Sequence, residues 1–236
     1  MNAKLDKKIA LVTGANRGIG FEICKQLSQL GLKVILTARD QIKGERAAQT
    51  LSTKGLDVSF CILDVTDKKN IVDVFNEIER KFSRLDILVN NAAILYDSNQ
   101  STLNANLDVV TQAPKTNLYG PWLICQKFIP LMQRNNYGRI VNVSSGSGSL
   151  YYMGGETPAY GISKVALNAL TKKLASELAE TNILVNSVDP DWVSTDMGGK
   201  GGRPVEEGAK GIVWACLLSN NGPSGGFFYD GQIEPW

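Results

Sequence analysis

The chain has 236 residues, of which 43% are hydrophobic and 20% are charged, a balance typical of a folded globular protein with a buried core. Its formal net charge of +2 gives no reason to expect nucleic acid or an anionic membrane as a partner. The sequence contains no histidine, which excludes a Ser-His-Asp triad and a histidine-ligated metal site. Acid–base chemistry would therefore fall to Tyr, Lys, Asp, Glu or Cys.

The cysteines are far apart in the sequence and form no CxxC pair, so neither a zinc site nor a redox pair is predicted. Free thiols fit a reducing compartment. The N-terminal segment MNAKLDKK is polar and lacks the apolar run of a signal peptide, and no stretch of about 18 apolar residues predicts a membrane span. We therefore expect a cytoplasmic protein without a metal ion and without nucleic acid or membrane as a partner.

Short apolar runs alternate with amphipathic segments along the whole chain. Strands are predicted, in order, at 8–14, 33–38, 57–65, 85–93, 138–145, 183–190 and about 225–230. Helices are predicted between them at 20–31, 44–55, 67–82, roughly 103–134 with breaks near Pro114 and Pro121, 159–180 and about 205–219.

Apolar strands separated by amphipathic helices predict a parallel sheet that is covered by helices on both faces. No linker or repeat divides the chain. The predicted fold class is therefore α/β, with a single doubly wound, Rossmann-type domain over residues 1–236 and a sheet of about seven strands. Ligands bind such sheets at the carboxyl ends of the strands.

The segment TGANRGIG (13–20) joins the first strand to the first helix, with glycines at 14, 18 and 20. Glycines at a helix N-terminus let backbone N–H groups approach a phosphate closely. The spacing is neither GxGxxG nor that of a P-loop. By itself the segment is compatible both with a phosphate site and with a tight glycine-rich turn.

A second candidate motif is PAYGISK (158–164), which places Tyr160 and Lys164 one turn apart on a helix. A phenol has an ordinary pKa near 10, and a neighbouring ammonium group is expected to lower the pKa of Tyr160 towards neutrality. Such a pair can perform acid–base catalysis without histidine. The same spacing also arises by chance on many helices, so the pair alone leaves a purely structural role open.

Taken together and in order, the motifs TGxxxGxG (13–20), NNAA (90–93), KTN (115–117), NVSS (142–145) and Tyr160-x-x-x-Lys164 resemble those of the short-chain dehydrogenase/reductases. The resemblance covers essentially the whole chain. The segments TDMGG (195–199) and GGFFYDGQIEPW (225–236) are similar to the carbonyl-reductase-like subgroup.

The resemblance implies an NADPH-dependent reductase that transfers hydride to a ketone or aldehyde. Tyr160 would protonate the carbonyl oxygen, Ser145 would hydrogen-bond it, Lys164 would hold the nicotinamide ribose, and Asn117 would hold a water in a proton relay. Ser144, next to Ser145, is expected to bond backbone instead. The resemblance implies cofactor contacts from Gly14, Asn16, Arg17, Gly18, Ile19, Gly20, Arg39, Asp64, Val65, Asn90, Asn91, Ala92, Tyr160, Lys164, Pro190, Val193 and Thr195.

The choice of nicotinamide depends on the end of the second strand. Relatives that use NAD carry an acid there, whereas this chain has Ala38 followed by Arg39. With Arg17 in the glycine loop, two guanidinium groups would suit a 2′-phosphate, so NADP(H) is the expected cofactor. If Asp40 turned inward, it could take the ribose hydroxyls and favour NAD instead.

The chain departs from the family pattern at two glycine positions, where it has Ala93 and Asp191. The loop between Ser145 and Tyr160 is also slightly longer than usual. Aromatic and methionine side chains on the loops, with a substrate loop at about 191–205, indicate a hydrophobic small-molecule substrate. The expected pocket residues are Tyr152, Met153 and Trp192, with Tyr151 and Met197 nearby.

Three alternatives stay open: oxidation of an alcohol, reduction of a conjugated C=C bond, and an NADP-sensing or scaffold protein without turnover. The helical regions 103–134 and 159–180 are where relatives pair, so a homo-oligomer is also expected.

Overall fold

The computed structural model of the protein describes residues 7–95 and 97–236. Its strands are β1 (Ile9–Val12), β2 (Lys33–Ala38), β3 (Val58–Ile62), β4 (Ile87–Asn90), β5 (Gly138–Val143), β6 (Ile183–Asp189), β7 (Phe227–Tyr229) and β8 (Gln232–Ile233). Its α-helices are α1 (Gly18–Gln29), α2 (Gln41–Ser52), α3 (Lys68–Phe82), α4 (Leu107–Pro114), α5 (Gly120–Arg134), α6 (Pro158–Glu177) and α7 (Val205–Cys216). No helix within these described ranges is long and apolar enough to cross a membrane.

All of these strands form one sheet in the order β3-β2-β1-β4-β5-β6-β7-β8. The pairs from β3 through β7 are parallel, and only the short β8 pairs antiparallel with its neighbour. The predicted doubly wound sheet is therefore confirmed, with one edge strand more than expected. The strand order reverses between β1 and β4, which opens a crevice at their carboxyl ends.

Alternation along the strands divides the core into two layers. Leu11 of β1 packs in a cluster with apolar residues of α3, α5 and α6 on one face of the sheet. Its neighbour Val12 packs in a second cluster with residues of α1, α2 and α7 on the other face. Because successive side chains of a strand point to opposite faces, the same short apolar strand serves both layers.

The helix after β4 begins at Leu107 and is interrupted by a π-helical turn at Lys115–Tyr119, immediately after Pro114. The predicted break near this proline is confirmed. A π-helical turn commonly marks a functional position in a helix. Here the turn carries Asn117, which is 1% exposed.

Candidate active site

A cavity of about 250 Å³ lies at the carboxyl ends of the strands, across the crevice between β1 and β4. Most of the expected cofactor contacts line this cavity. They are Gly14, Asn16, Arg17, Gly18, Ile19, Gly20, Arg39, Asp64, Val65, Asn91, Ala92, Tyr160, Lys164, Pro190 and Thr195. The sheet thus brings residues from the first 20 positions and from beyond position 190 into one site.

Two expected contacts do not line the cavity. Asn90 is buried, and its Nδ2 donates to Asn142 Oδ1 at 2.8 Å, so it joins β4 to β5 inside the sheet. Its neighbour Asn91 lines the cavity, and its Nδ2 donates to the backbone carbonyls of Thr13 (2.8 Å) and Gly14 (3.1 Å). Val193 is also buried. It packs so closely against Gly208 that a Cβ added to this glycine would clash with the Val193 side chain.

The glycine loop has the backbone that a phosphate site requires. Gly14 has φ +62, and a Cβ at this position would lie 2.8 Å from Ala92 Cα. Gly18, the first residue of α1, has φ +56. The side chain of the residue before Gly18 makes no hydrogen bond to the backbone N–H groups at the start of α1. The N-terminus of α1 therefore faces the cavity with the glycine backbone around it, as an anion site requires.

Both arginines line the cavity. Arg17 Nη1 lies 2.6 Å from Asp196 Oδ2, but both side chains are largely exposed, so the ion pair contributes only about 0–1 kcal/mol and can exchange for another anion. Arg39 has no ion-pair partner in the described part of the chain. Asp40 does not turn inward: it caps α2 by accepting the Lys43 N–H at 3.0 Å.

Asp64 and Asp67 make different contacts, and the expected capping role of Asp67 is confirmed. Asp67 caps α3 by accepting the N–H groups of Lys69 and Asn70. Asp64 lines the cavity, and its Oδ1 accepts both the N–H and the hydroxyl of Thr66. These bonds fix the Asp64 carboxylate at the cavity wall.

Tyr160 lies in the first turn of α6, close to Ser145 in the turn after β5. The Ser145 hydroxyl lies near the Tyr160 phenol, and Ser145 Oγ accepts the Ser147 N–H at 3.2 Å. Burial raises the pKa of Tyr160 to about 12, although the nearby Ser145 hydroxyl acts against this effect. Ser144 was expected to bond backbone, but its hydroxyl is buried and has no hydrogen-bond partner among the residues described.

Lys164 is 2% exposed, and its Nζ donates to the Val143 carbonyl at 2.7 Å. The same Nζ lies 5.4 Å from the centre of the Tyr160 ring. Burial lowers the pKa of Lys164 to about 8. The expectation that the pKa of Tyr160 lies below its ordinary value is therefore wrong, because desolvation of the phenol raises this pKa.

Both polar atoms of the Asn117 side chain form hydrogen bonds with protein groups. Its Oδ1 accepts the Ile94 N–H at 2.9 Å, and its Nδ2 donates to the Ile94 carbonyl (3.0 Å) and to Ser163 Oγ (2.9 Å). Ser163 in turn donates to the Tyr160 carbonyl at 2.6 Å. The side chain therefore joins the loop after β4 to helix α6.

Asp97 is a residue of this site that the sequence does not reveal. It is 1% exposed, and its Oδ2 accepts the N–H groups of Ala159 (2.6 Å) and Tyr160 (3.3 Å). The position before α6, Thr157, is left-handed with φ 46 and makes no side-chain cap bond. A carboxylate from the loop after β4 thus caps the helix that carries Tyr160.

The two departures from the family pattern have different outcomes. Ala93 does not adopt positive φ, so its methyl group causes no left-handed strain. Asp191 has φ 66, the left-handed backbone that favours glycine. Its Oδ2 accepts from the Tyr229 hydroxyl at 3.1 Å, and the residue is exposed and lies outside the cavity lining.

The expected substrate-pocket residues lie on loops at the same edge of the sheet but outside the cavity lining. Tyr152 is 59% exposed, Met153 40% and Trp192 56%, and the Trp192 Nε1 donates to the Gly198 carbonyl at 2.7 Å. Tyr151 packs edge-on against Tyr152. Met197 lines the cavity itself. The loops leave apolar surface exposed beside the site.

The chain is also similar to known proteins. Residues 8–204 match the family model described as short chain dehydrogenase. The chain is 34% identical to (+)-neomenthol dehydrogenase of Arabidopsis thaliana over 291 aligned positions, which cover 96% of this chain and 97% of that protein. It is 34% identical to carbonyl reductase [NADPH] 1 of Oryctolagus cuniculus, with 98% of this chain and 99% of that protein covered.

Among solved structures, NADPH-bound carbonyl reductase from chicken fatty liver superposes with a TM-score of 0.86 at 32% identity, covering 98% of this chain and 99% of that chain. The alignment to the neomenthol dehydrogenase runs over 291 positions although this chain has 236 residues. That relative therefore contains segments that this chain lacks.

Proposed function

The chain belongs to the short-chain dehydrogenase family, and from this membership we propose that it is an NADPH-dependent reductase of ketones or aldehydes with Tyr160 as the proton donor. The observation that carries the proposal is the Ser145 hydroxyl next to the Tyr160 phenol, with Lys164 beside them at the edge of the groove that the glycine loop lines. A protein that only binds a nucleotide has no need of this arrangement.

The residues of the groove fit NADP(H). The glycine backbone at the start of α1 suits the pyrophosphate, and Asp64 and Val65 stand where the adenine would lie. Arg17 and Arg39 suit the 2′-phosphate, and the capping role of Asp40 leaves no acid for a free ribose hydroxyl. When bound, NADPH supplies the hydride that adds to the carbonyl carbon.

The side chains then act on the carbonyl oxygen. Ser145 and Tyr160 donate hydrogen bonds to this oxygen, where negative charge develops as hydride arrives. Tyr160 transfers its phenolic proton to the oxygen. A phenol with a pKa near 12 stays protonated across the physiological range, as a proton donor requires. The ammonium group of Lys164 contacts the nicotinamide ribose and stabilises the phenolate that forms.

The proposed substrate is a hydrophobic small molecule. The exposed apolar side chains of Tyr152, Met153 and Trp192 support this choice, with residues 191–205 as the substrate loop. The likeness to a neomenthol dehydrogenase favours oxidation of a secondary alcohol as a second candidate, because it is the reverse reaction at the same site.

We further propose that the protein is cytoplasmic and homo-oligomeric. All cysteines are free, as a reducing compartment favours. Large apolar side chains are exposed on the helices expected to pair, at Leu107, Tyr119, Trp122 and Ile162. Light scattering of the purified protein and fractionation of cells test these two proposals.

The function is tested by following nicotinamide absorbance with a panel of hydrophobic ketones, aldehydes, enones and alcohols. Tyr160→Phe is expected to abolish nearly all turnover and to retain NADPH binding. Tyr137→Phe is a matched control, because Tyr137 lies outside the cavity and contacts Lys8. Wild-type kcat in Tyr160→Phe would refute the assignment. NADPH binding without turnover by the wild type would favour a sensor or scaffold.

A further inference from the structure

Asp189 is a buried carboxylate next to the proposed catalytic residues, and the reaction as described above does not use it. It is the last residue of β6 and is 7% exposed. Its Oδ1 accepts the Asp191 N–H at 2.8 Å, and its Oδ2 lies against Gly146. It therefore packs the turn after β5, which carries Ser145, against the turn after β6.

The fit of this carboxylate against the Ser145 turn is close. A Cβ added to Gly146 would lie 3.1 Å from Asp189 Oδ2, which is tighter than ordinary van der Waals contact. Gly146 does not have positive φ, so the demand for glycine at this position comes from space rather than from the backbone angles. Any change at Asp189 would thus act on the residue that follows Ser145.

Charged groups from three directions face Asp189. Lys164 and Tyr160 face it from α6, Asp191 from the following turn, and Glu234 from the C-terminal segment. Burial raises the pKa of Asp189, while the nearby backbone N–H groups and Lys164 act against this. Burial raises the pKa of Tyr160, and the Asp189 charge adds to this effect. Burial lowers the pKa of Lys164, and the Asp189 charge opposes this effect.

We propose that Asp189 is a positioning residue of the reductase: its carboxylate fixes the turn that carries Ser145 and directs a buried negative charge toward Lys164 and Tyr160. This inference rests on the proposed function. The fixed turn favours reduction because the Ser145 hydroxyl must meet the carbonyl oxygen, and the negative charge favours it because the ammonium group of Lys164 stabilises the phenolate that forms.

The test measures kcat, kcat/KM and the NADPH dissociation constant of Asp189→Asn from acid to alkaline pH with the best carbonyl substrate of the panel. The amide has nearly the same size, but it loses the charge and replaces one of the two acceptor oxygens by an NH2 donor, which repels an N–H group of the adjoining turn. We expect kcat at neutral pH to fall about tenfold through the displaced Ser145. We expect the alkaline limb of kcat/KM to move to lower pH by about 0.5–1 unit, because the pKa of both Tyr160 and Lys164 falls.

Asp191→Asn is the matched control. It removes the same charge from a residue that contacts Tyr229 and does not act on Tyr160 or Lys164. Its alkaline limb should coincide with that of the wild type. Asp189→Ser, in which a smaller, uncharged side chain replaces the carboxylate, is measured in parallel. It gives the pH of the alkaline limb of kcat/KM even if the Asn variant does not fold.

An unmoved alkaline limb in a folded Asp189 variant would overturn the electrostatic part of the inference. Wild-type kcat would overturn the positioning part. Neither result touches the proposed function, which fails separately if the wild type reduces no carbonyl compound with NADPH.

Discussion

Replacing Asp97 by alanine tests whether the catalytic helix depends on a cap from a distant loop. The substitution removes the acceptor of the Ala159 and Tyr160 N–H groups, and Pro158 and Thr157 offer no substitute. Loss of an N-cap costs about 0.5–2 kcal/mol, and a buried N–H left without a partner costs about 1–3 kcal/mol. Removing the buried Asp97 Oδ1, which has no partner, offsets part of this cost.

We therefore expect the free energy of unfolding to fall by about 2 kcal/mol and Tm to fall by about 4–8 °C. Because Tyr160 is one of the two capped residues, kcat should also fall by about tenfold. Urea unfolding, with an unchanged m-value, and steady-state kinetics measure the two effects. Asp97→Asn keeps an acceptor oxygen and should restore most of both.

The matched control is Asp67→Ala, which removes an exposed cap with two N–H partners from α3, outside the cavity lining. It should cost about 1 kcal/mol and leave kcat unchanged. If Asp97→Ala is no less stable and no less active than Asp67→Ala, the reasoning about the long-range cap fails.

Two further predictions concern charge. Arg39→Ala should lower the preference for NADPH over NADH in kcat/KM by roughly tenfold to a hundredfold, because a charge-assisted bond is lost. The control is Arg46→Ala, which is exposed on α2 and outside the cavity lining and should not change this ratio. An unchanged ratio in Arg39→Ala would contradict the 2′-phosphate contact. Burial and the nearby Asp189 and Asp191 raise the pKa of Glu234 to about 7, so this group's contribution to stability is present below its ordinary value of 4.5 and is lost as pH rises through about 7. The Tm advantage of Glu234→Gln over the wild type should thus grow between these pH values, whereas a constant difference would contradict the shift.

Most of the fold could be predicted because the strands are short apolar runs that end at glycine, proline or polar residues. The periodicity that distinguishes strand from helix is local, and a run such as IALV in β1 is buried on both faces only in a parallel sheet. The short β8 could not be predicted, because its two exposed residues have no apolar pattern and pair only once β7 is in place.

The positions of Tyr160, Lys164 and Ser145 were also accessible, because each lies in an ordered motif at a strand or helix end. Their electrostatics were not. The sequence places a cation near the phenol, but it does not show how far the fold desolvates the two groups, and desolvation is the largest influence on the pKa of each. The roles of Asp97 and Asp189 could not be predicted for a related reason. The backbone N–H groups that these carboxylates accept come close to them only in the folded chain.

The chemistry and the substrate of this protein are supported by different parts of the structure. Ser145, Tyr160 and Lys164 are held by strand ends, by the buried carboxylate of Asp189 and by the cap of Asp97, so small changes in the loops leave their geometry intact. The apolar side chains of the substrate loops are exposed, and at least one relative carries whole segments that are absent here. Hydride transfer to a carbonyl therefore depends on this internal site geometry, whereas the choice of substrate depends on the exposed loop surfaces beside it.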